Sequence, residues 1–215
     1  MRGSMKTLTG LKIISLFGLG GLMVLLQVLQ SSKLPVQGGE KMGTLVGRVQ
    51  HPSMKKYPGV VYIEEIPGKE FKPPERLVEM NQKEKTFIPR VLPILVGTQV
   101  DFLNSDDFKH SILSPEGKYN LGFLNKGEKR SYTFKRPGIY TQLCSLHPEM
   151  VAYVVVVKTP YFAVTDPDGK FKIDNVPIGT WKLKVWNELL TQNQLDKTYE
   201  VKIQESKETS VELEP

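Results

Sequence analysis

The chain holds a single cysteine, Cys144, in 215 residues, so it can form no internal disulfide whatever the redox conditions around it. Histidine is nearly as scarce: His51, His110 and His147 are the only three, too few for a second multi-histidine centre. There is no phosphate-cradling glycine loop and no nucleophile elbow. Glu64-Glu65 and Asp106-Asp107 are adjacent pairs rather than carboxylates facing each other across a cleft. A Cys144–His147 nucleophile and base would leave Met150 without a role, so the chain is expected not to be an enzyme. The net charge of +6 falls to +3 once Arg2, Lys6 and Lys12 are set aside, since no acidic residue precedes Lys33. That excess allows weak steering towards an acidic partner. With no basic stripe interleaved with aromatics, nucleic-acid binding is not expected.

One long apolar run is present, from Ile13 to Leu29, preceded by basic residues and followed by Gln30-Ser-Ser-Lys33. Its length lies between a secretory core segment and a short spanning helix. A buried amphipathic helix is a poor reading, because the run has no polar face. Residues 1–32 are therefore expected to be a signal peptide or a membrane anchor through residues 13–29, with the rest of the chain outside the cytoplasm, periplasmic or at the cell surface.

What the scarce residues do have is spacing. Cys144-Ser-Leu-His147-Pro-Glu-Met150 places a thiol, an imidazole and a thioether within seven residues. A lone cysteine is ordinarily a small buried hydrophobe. One thiolate, two imidazoles and a weak axial thioether, however, are the set that suits copper cycling between two oxidation states. Zinc also takes Cys and His, but rarely Met. The missing imidazole can come from His110, which follows the alternating strand pattern Thr98-Gln-Val100-Asp-Phe102-Leu-Asn104.

From about Glu75 to Lys158 the chain also carries Phe87-Ile-Pro89-Arg, Val96-Gly-Thr-Gln-Val100, Asn104-Ser-Asp-Asp-Phe-Lys-His110, Asn125-Lys-Gly127-Glu and Phe134-Lys-Arg-Pro137-Gly-Ile-Tyr140 before the Cys144 loop. In this order the segments resemble the cupredoxins, the small blue copper proteins, and the short ligand loop is most similar to that of amicyanin. The resemblance implies one type 1 copper held by His110, Cys144 and His147, with Met150 axial. Asn104, Ser111, Ser145 and Pro148 would surround these ligands. Many relatives have Asn where this chain has Ser111, which puts the usual bridge to the residue after the cysteine, here Ser145, in question. The implied function is an exported carrier of single electrons that docks transiently with redox protein partners near His147. Two alternatives stay open: a copper-binding or delivery protein without redox turnover, and an adhesion or carbohydrate-binding protein with a structural copper domain.

Strand patterns continue outside that stretch, at Gly43-Thr-Leu-Val-Gly-Arg-Val49, Gly59-Val-Val-Tyr-Ile63 and Ala152-Tyr-Val-Val-Val-Val157, the last apolar enough for burial on both faces. Helix is expected nowhere after the N-terminal run, apart from a turn near Asn187 to Gln194. Residues Tyr161 to Trp186 resemble the carboxypeptidase regulatory-like, transthyretin-related sandwich. The expected fold is all-β: a cupredoxin Greek-key sandwich or barrel at 69–158, plus a second small sandwich made discontinuously of 41–68 and 159–215, preceded by the N-terminal hydrophobic helix. The competing arrangement gives residues 41–68 to the copper barrel. Asp166-Pro-Asp168-Gly169 lacks the later ligands of a calcium loop and reads as a tight hairpin turn with Gly169 at positive φ. Trp181 and Trp186, five apart, should face opposite sides of one strand, ordinary packing being the simpler role and a sugar platform the sharper one. His51 with Met54 and Met42 offers a second soft site on paper, more simply a solvated turn.

Overall fold

The computed structural model describes residues 41–117, 119–205 and 207–215. The apolar segment 13–29 lies outside the described residues; among those described, no helix is long and apolar enough to cross a membrane. The strands in chain order are β1 (Met42–Val49), β2 (Val60–Ile63), β3 (Glu79–Lys83), β4 (Thr86–Ile88), β5 (Val91–Leu95) and β6 (Gln99–Asn104). Then come β7 (His110–Ser114), β8 (Tyr119–Leu124), β9 (Lys129–Thr133), β10 (Gly138–Leu143) and β11 (Val151–Val157). The series closes with β12 (Phe162–Val164), β13 (Lys170–Pro177), β14 (Gly179–Trp186), β15 (Tyr199–Ile203) and β16 (Glu208–Leu213). Besides a 3₁₀ turn at Pro52–Lys55, the described helix is α1 (Gln192–Asp196), where the sequence leads one to expect a turn. The fold is all-β.

Two sheets enclose the segment that carries the ligand loop: β5-β11-β10-β7-β8 and β4-β3-β6-β9. Their inward residues, among them Met80, Phe87, Phe102, Ile112 and Val154, form one apolar core that also takes in Phe134, just past β9, and Cys144 and Met150. Two further sheets, β13-β1-β16 and β12-β2-β14-β15, face each other over a separate core built on Leu45, Val61, Ile63, Ile173, Leu183 and Val201. β1 pairs with β13 and β16, and β2 with β12 and β14, so residues 41–63 contribute strands to this second pair of sheets. The turn at Asp166 is tight: the Asp166 carboxylate accepts the amides of Asp168 and Lys170, at 2.9 and 2.8 Å, and Gly169 sits at φ +80°. A Cβ on Gly169 would lie 2.3 Å from the Val49 carbonyl oxygen. It is not a hairpin, however, because β12 and β13 run into different sheets. With its oxygen already satisfied by turn amides, Asp166 has its role within the turn.

The valine run of β11 explains how the two halves meet. Strand side chains alternate between faces, so Ala152, Val154 and Val156 enter the ligand-loop core, while Val155 and Val157 join Val60, Val91 and Trp186 in a third apolar cluster between the sandwiches. Trp186, 6% exposed, packs its ring on Tyr153 at 5.0 Å between centroids, whereas Trp181 rests on the second core and donates Nε1–H to the Pro177 carbonyl. The two tryptophans do face opposite sides, and burial of Trp186 leaves no sugar platform there. Residues 41–215 belong to one compact unit.

Candidate metal centre

His110 opens β7 at the end of the loop that leaves β6, and Cys144 follows directly on β10. β7 and β10 are paired neighbours, with Leu113 opposite Leu143, so the sheet itself carries the distant imidazole to the thiol. His147 comes back over the pair on a turn in which the Met150 amide donates to the His147 carbonyl at 3.0 Å.

The donor atoms converge. Nδ1 of His110 and Nδ1 of His147 lie 3.1 Å apart, and Sγ of Cys144 is 3.8 and 3.7 Å from them. The circumcentre of that triangle is ~2.1 Å from each corner, matching metal–nitrogen and metal–sulfur bonds of about 2.0–2.3 Å. Among the described residues this is the one group of three such ligands. Met150 is buried to 1% exposure in the same core as Cys144. The donor set and its spacing thus fit a three-coordinate N₂S metal site.

The surroundings orient these ligands. His110 is fully buried, and its Nε2 meets Oδ2 of Asp106 at 2.7 Å, which fixes the ring with Nδ1 towards the centre. Burial opposes ionisation of Asp106, but the amides of Lys85 and Glu84 and the ring of His110 bind its oxygens and hold its carboxyl below the usual range. Asn104, 1% exposed, pins the loop by donating to the Phe108 and Leu124 carbonyls and accepting the Asp106 amide. The Ser111 amide points at Cys144 Sγ, 3.4 Å away. The bridge that the serine put in question is made: Ser111 Oγ accepts the Ser145 amide at 2.8 Å and meets the Ser145 hydroxyl at the same distance. Pro148 is exposed on the loop surface and touches no ligand in a way that hydrogen bonding records.

Two neighbours escape sequence reasoning. Asp106 reads as half of an uninformative acidic pair, although its spacing of four residues before His110 is the available clue. Phe108, 43% exposed, meets His110 edgewise at 5.1 Å and lies tilted against His147 at 5.6 Å. The His51 and Met54 pairing is not formed as a site. Met54 is a core residue at 3% exposure whose sulfur accepts from Thr165, and both His51 nitrogens are engaged, by Ser53 and Gln194.

No family model and no curated protein matches the chain. Solved structures do. A novel purple cupredoxin from Nitrosopumilus maritimus is 30% identical over 37% of this chain and 98% of its own, with a TM-score of 0.34. Amicyanin from Paracoccus versutus is 20% identical over 45% of this chain and 96% of its own, at a TM-score of 0.36. A copper-containing nitrite reductase from Thermus scotoductus is 28% identical over 45% of this chain, which spans only 25% of the reductase, at a TM-score of 0.38.

Proposed function

We propose that the protein binds one copper ion through His110, Cys144 and His147, with Met150 as axial ligand, and carries single electrons between redox protein partners outside the cytoplasm rather than catalysing a reaction of its own. The observation that carries this reading is the preformed triangle of two imidazole nitrogens and one sulfur. Bound there, copper supplies a one-electron couple. The chain supplies everything that keeps the couple fast: ligands fixed by paired strands, a buried imidazole whose ring Asp106 fixes, and a serine amide on the sulfur. Ligands that need not move when an electron arrives impose little reorganisation.

His147 is the ligand at the surface, half-buried, with exposed Phe108, Leu146 and Pro148 around it. Lys85 and Lys109 lie over the rings of Phe108 and of exposed Phe123, at 5.6 and 5.8 Å. A small apolar face edged by lysines suits brief contact with an acidic partner. Residues 69–158 form the copper domain in this reading, inserted between 41–68 and 159–215, and residues 13–29 direct export or anchor the chain.

The test is titration of the purified protein with Cu(II), followed by visible absorption and voltammetry. An intense thiolate-to-copper band, absent from Cys144→Ser and shifted but retained in Met150→Leu, is the expected outcome. A colourless complex that cannot be reduced and reoxidised would leave delivery as the function.

A further inference from the structure

A groove of about 400 Å³ beside His51 and another of about 580 Å³ beside Tyr132 are of mixed lining and more open; a third, of about 280 Å³, is the most apolar of the three. It lies where the two sandwiches join, between the segment Lys72–Val78, strand β5 and the start of β12. Its floor is apolar, formed by Val78, Leu92, Ile94 and Phe162. The charged side chains in its lining are Lys72 and Arg76, with no carboxylate to meet them, and neither makes an ion pair or hydrogen bond among the described residues. Thr98 closes the inner side at 2% exposure, and its buried hydroxyl has no hydrogen-bond partner among the described residues. Buried polar groups are nearly always satisfied, so an open one points to a missing partner.

We propose that this groove binds a small amphipathic carboxylate, an apolar chain with an anionic head. The aliphatic floor takes the chain. The guanidinium of Arg76 and the ammonium of Lys72 take the head, for which the planar Arg fork is suited. Thr98 supplies a neutral hydrogen-bonding group beside them. The volume is just under the ~300 Å³ at which pockets for drug-sized ligands begin, which limits the occupant to a short chain. A ligand here touches both sandwiches and the segment that joins them, so its occupancy stabilises their junction. The proposal does not depend on copper.

The experiment titrates the full chain with octanoate, read by calorimetry and by amide chemical shifts. Saturable one-site binding with a Kd on the order of 100 µM is expected, with shifts concentrated at Leu92, Ile94 and Phe162. Lys72→Gln with Arg76→Gln alters two exposed, unpaired side chains, so the double variant keeps its fold by circular dichroism, and octanoate should bind it at least tenfold more weakly. Octanol should likewise bind at least tenfold more weakly to the unaltered chain. Octyl phosphate distinguishes a lipid phosphate from a carboxylate: equal or tighter binding of it would overturn the assigned head group. Absence of saturation up to ~10 mM octanoate, or undiminished affinity in the double variant, would sink the site itself.

Discussion

Arg90 and Glu188 stand in different sandwiches and meet through two parallel hydrogen bonds, Nε to Oε1 and Nη2 to Oε2, both 2.7 Å long. Nη1 of the same arginine donates to the carbonyl of Val151, the residue after Met150, and its guanidinium lies 4.3 Å over the ring of Tyr57. The hydrogen bond to Glu188 outweighs burial, which acts against the charged form, and keeps Arg90 firmly protonated. Glu188 side-chain exposure is 8% against 28% for Arg90, so breaking the pair leaves a largely buried carboxylate without its partner. Arg90→Ala should therefore cost ~2 kcal/mol of stability. A double-mutant cycle with Glu188→Ala, followed by guanidinium unfolding, should give a coupling above ~1 kcal/mol; additive losses would show that the two side chains act separately.

Asp106→Asn should lower metal affinity by about 10–100-fold while leaving the ligands in place, because an amide holds the His110 ring less firmly than a carboxylate does. Competition with a colorimetric copper chelator measures it. Unchanged affinity would reduce Asp106 to a loop-closing role.

Ser111→Ala removes the acceptor of the Ser145 amide and should destabilise the metal-free protein by ~1 kcal/mol. In the loaded protein it should also shift the visible band and the midpoint potential, since it loosens the segment that delivers Cys144. Ser111→Thr, which keeps the hydroxyl, should restore both. If neither spectrum nor potential moves in Ser111→Ala, the serine bridge has no bearing on the metal.

If the proposed docking face is used, reversing its charge with Lys85→Glu and Lys109→Glu together should slow electron exchange with acidic partner proteins and flatten its dependence on ionic strength. Stopped-flow kinetics at low and high salt would read this. Exchange that stays equally salt-dependent would move the contact surface elsewhere.

Hydrogen bonds from Lys129 and Ser131 hold the carboxyl of Asp101 below its ordinary value, against the effect of burial. A carboxylate with a depressed folded-state pKa contributes stability at pH values above the unfolded value of about 4, and that contribution fades as the pH drops below it towards the folded value. Asp101→Asn should thus be less stable than the parent at pH 7, with the gap narrowing below pH ~4. Chemical unfolding at pH 7 and pH 3 tests the sign; a gap that widened in acid would contradict it.

Much of this was legible because periodicity and ligand chemistry are local. The valine run of β11 announces burial on both faces, whereas the strand that leads towards His110 alternates in sequence yet buries Asp101 and Asn104 along with its apolar residues. The convergence of His110 with the Cys144 loop was expected from a resemblance and appears as three short distances. Other features depend on pairing between residues far apart in the chain. Nothing near Asp166 says that its two flanking strands enter different sheets, and nothing near Arg90 names Glu188 as its partner, 98 residues away. Asp106 was hidden for a different reason: a carboxylate reveals an orienting role only once the loop folds an imidazole onto it.

β11 gives alternate side chains to two cores, so neither half of the protein can melt without stripping a wall from the other. An ion seated beside Met150, just ahead of that strand, then adds its binding energy to a single cooperative transition. Loading the metal should slow amide exchange not only around the ligands but also in β2 and β14, where Val60 and Trp186 lean on Val155 and Val157. The far sandwich becomes a reporter of what the near one holds.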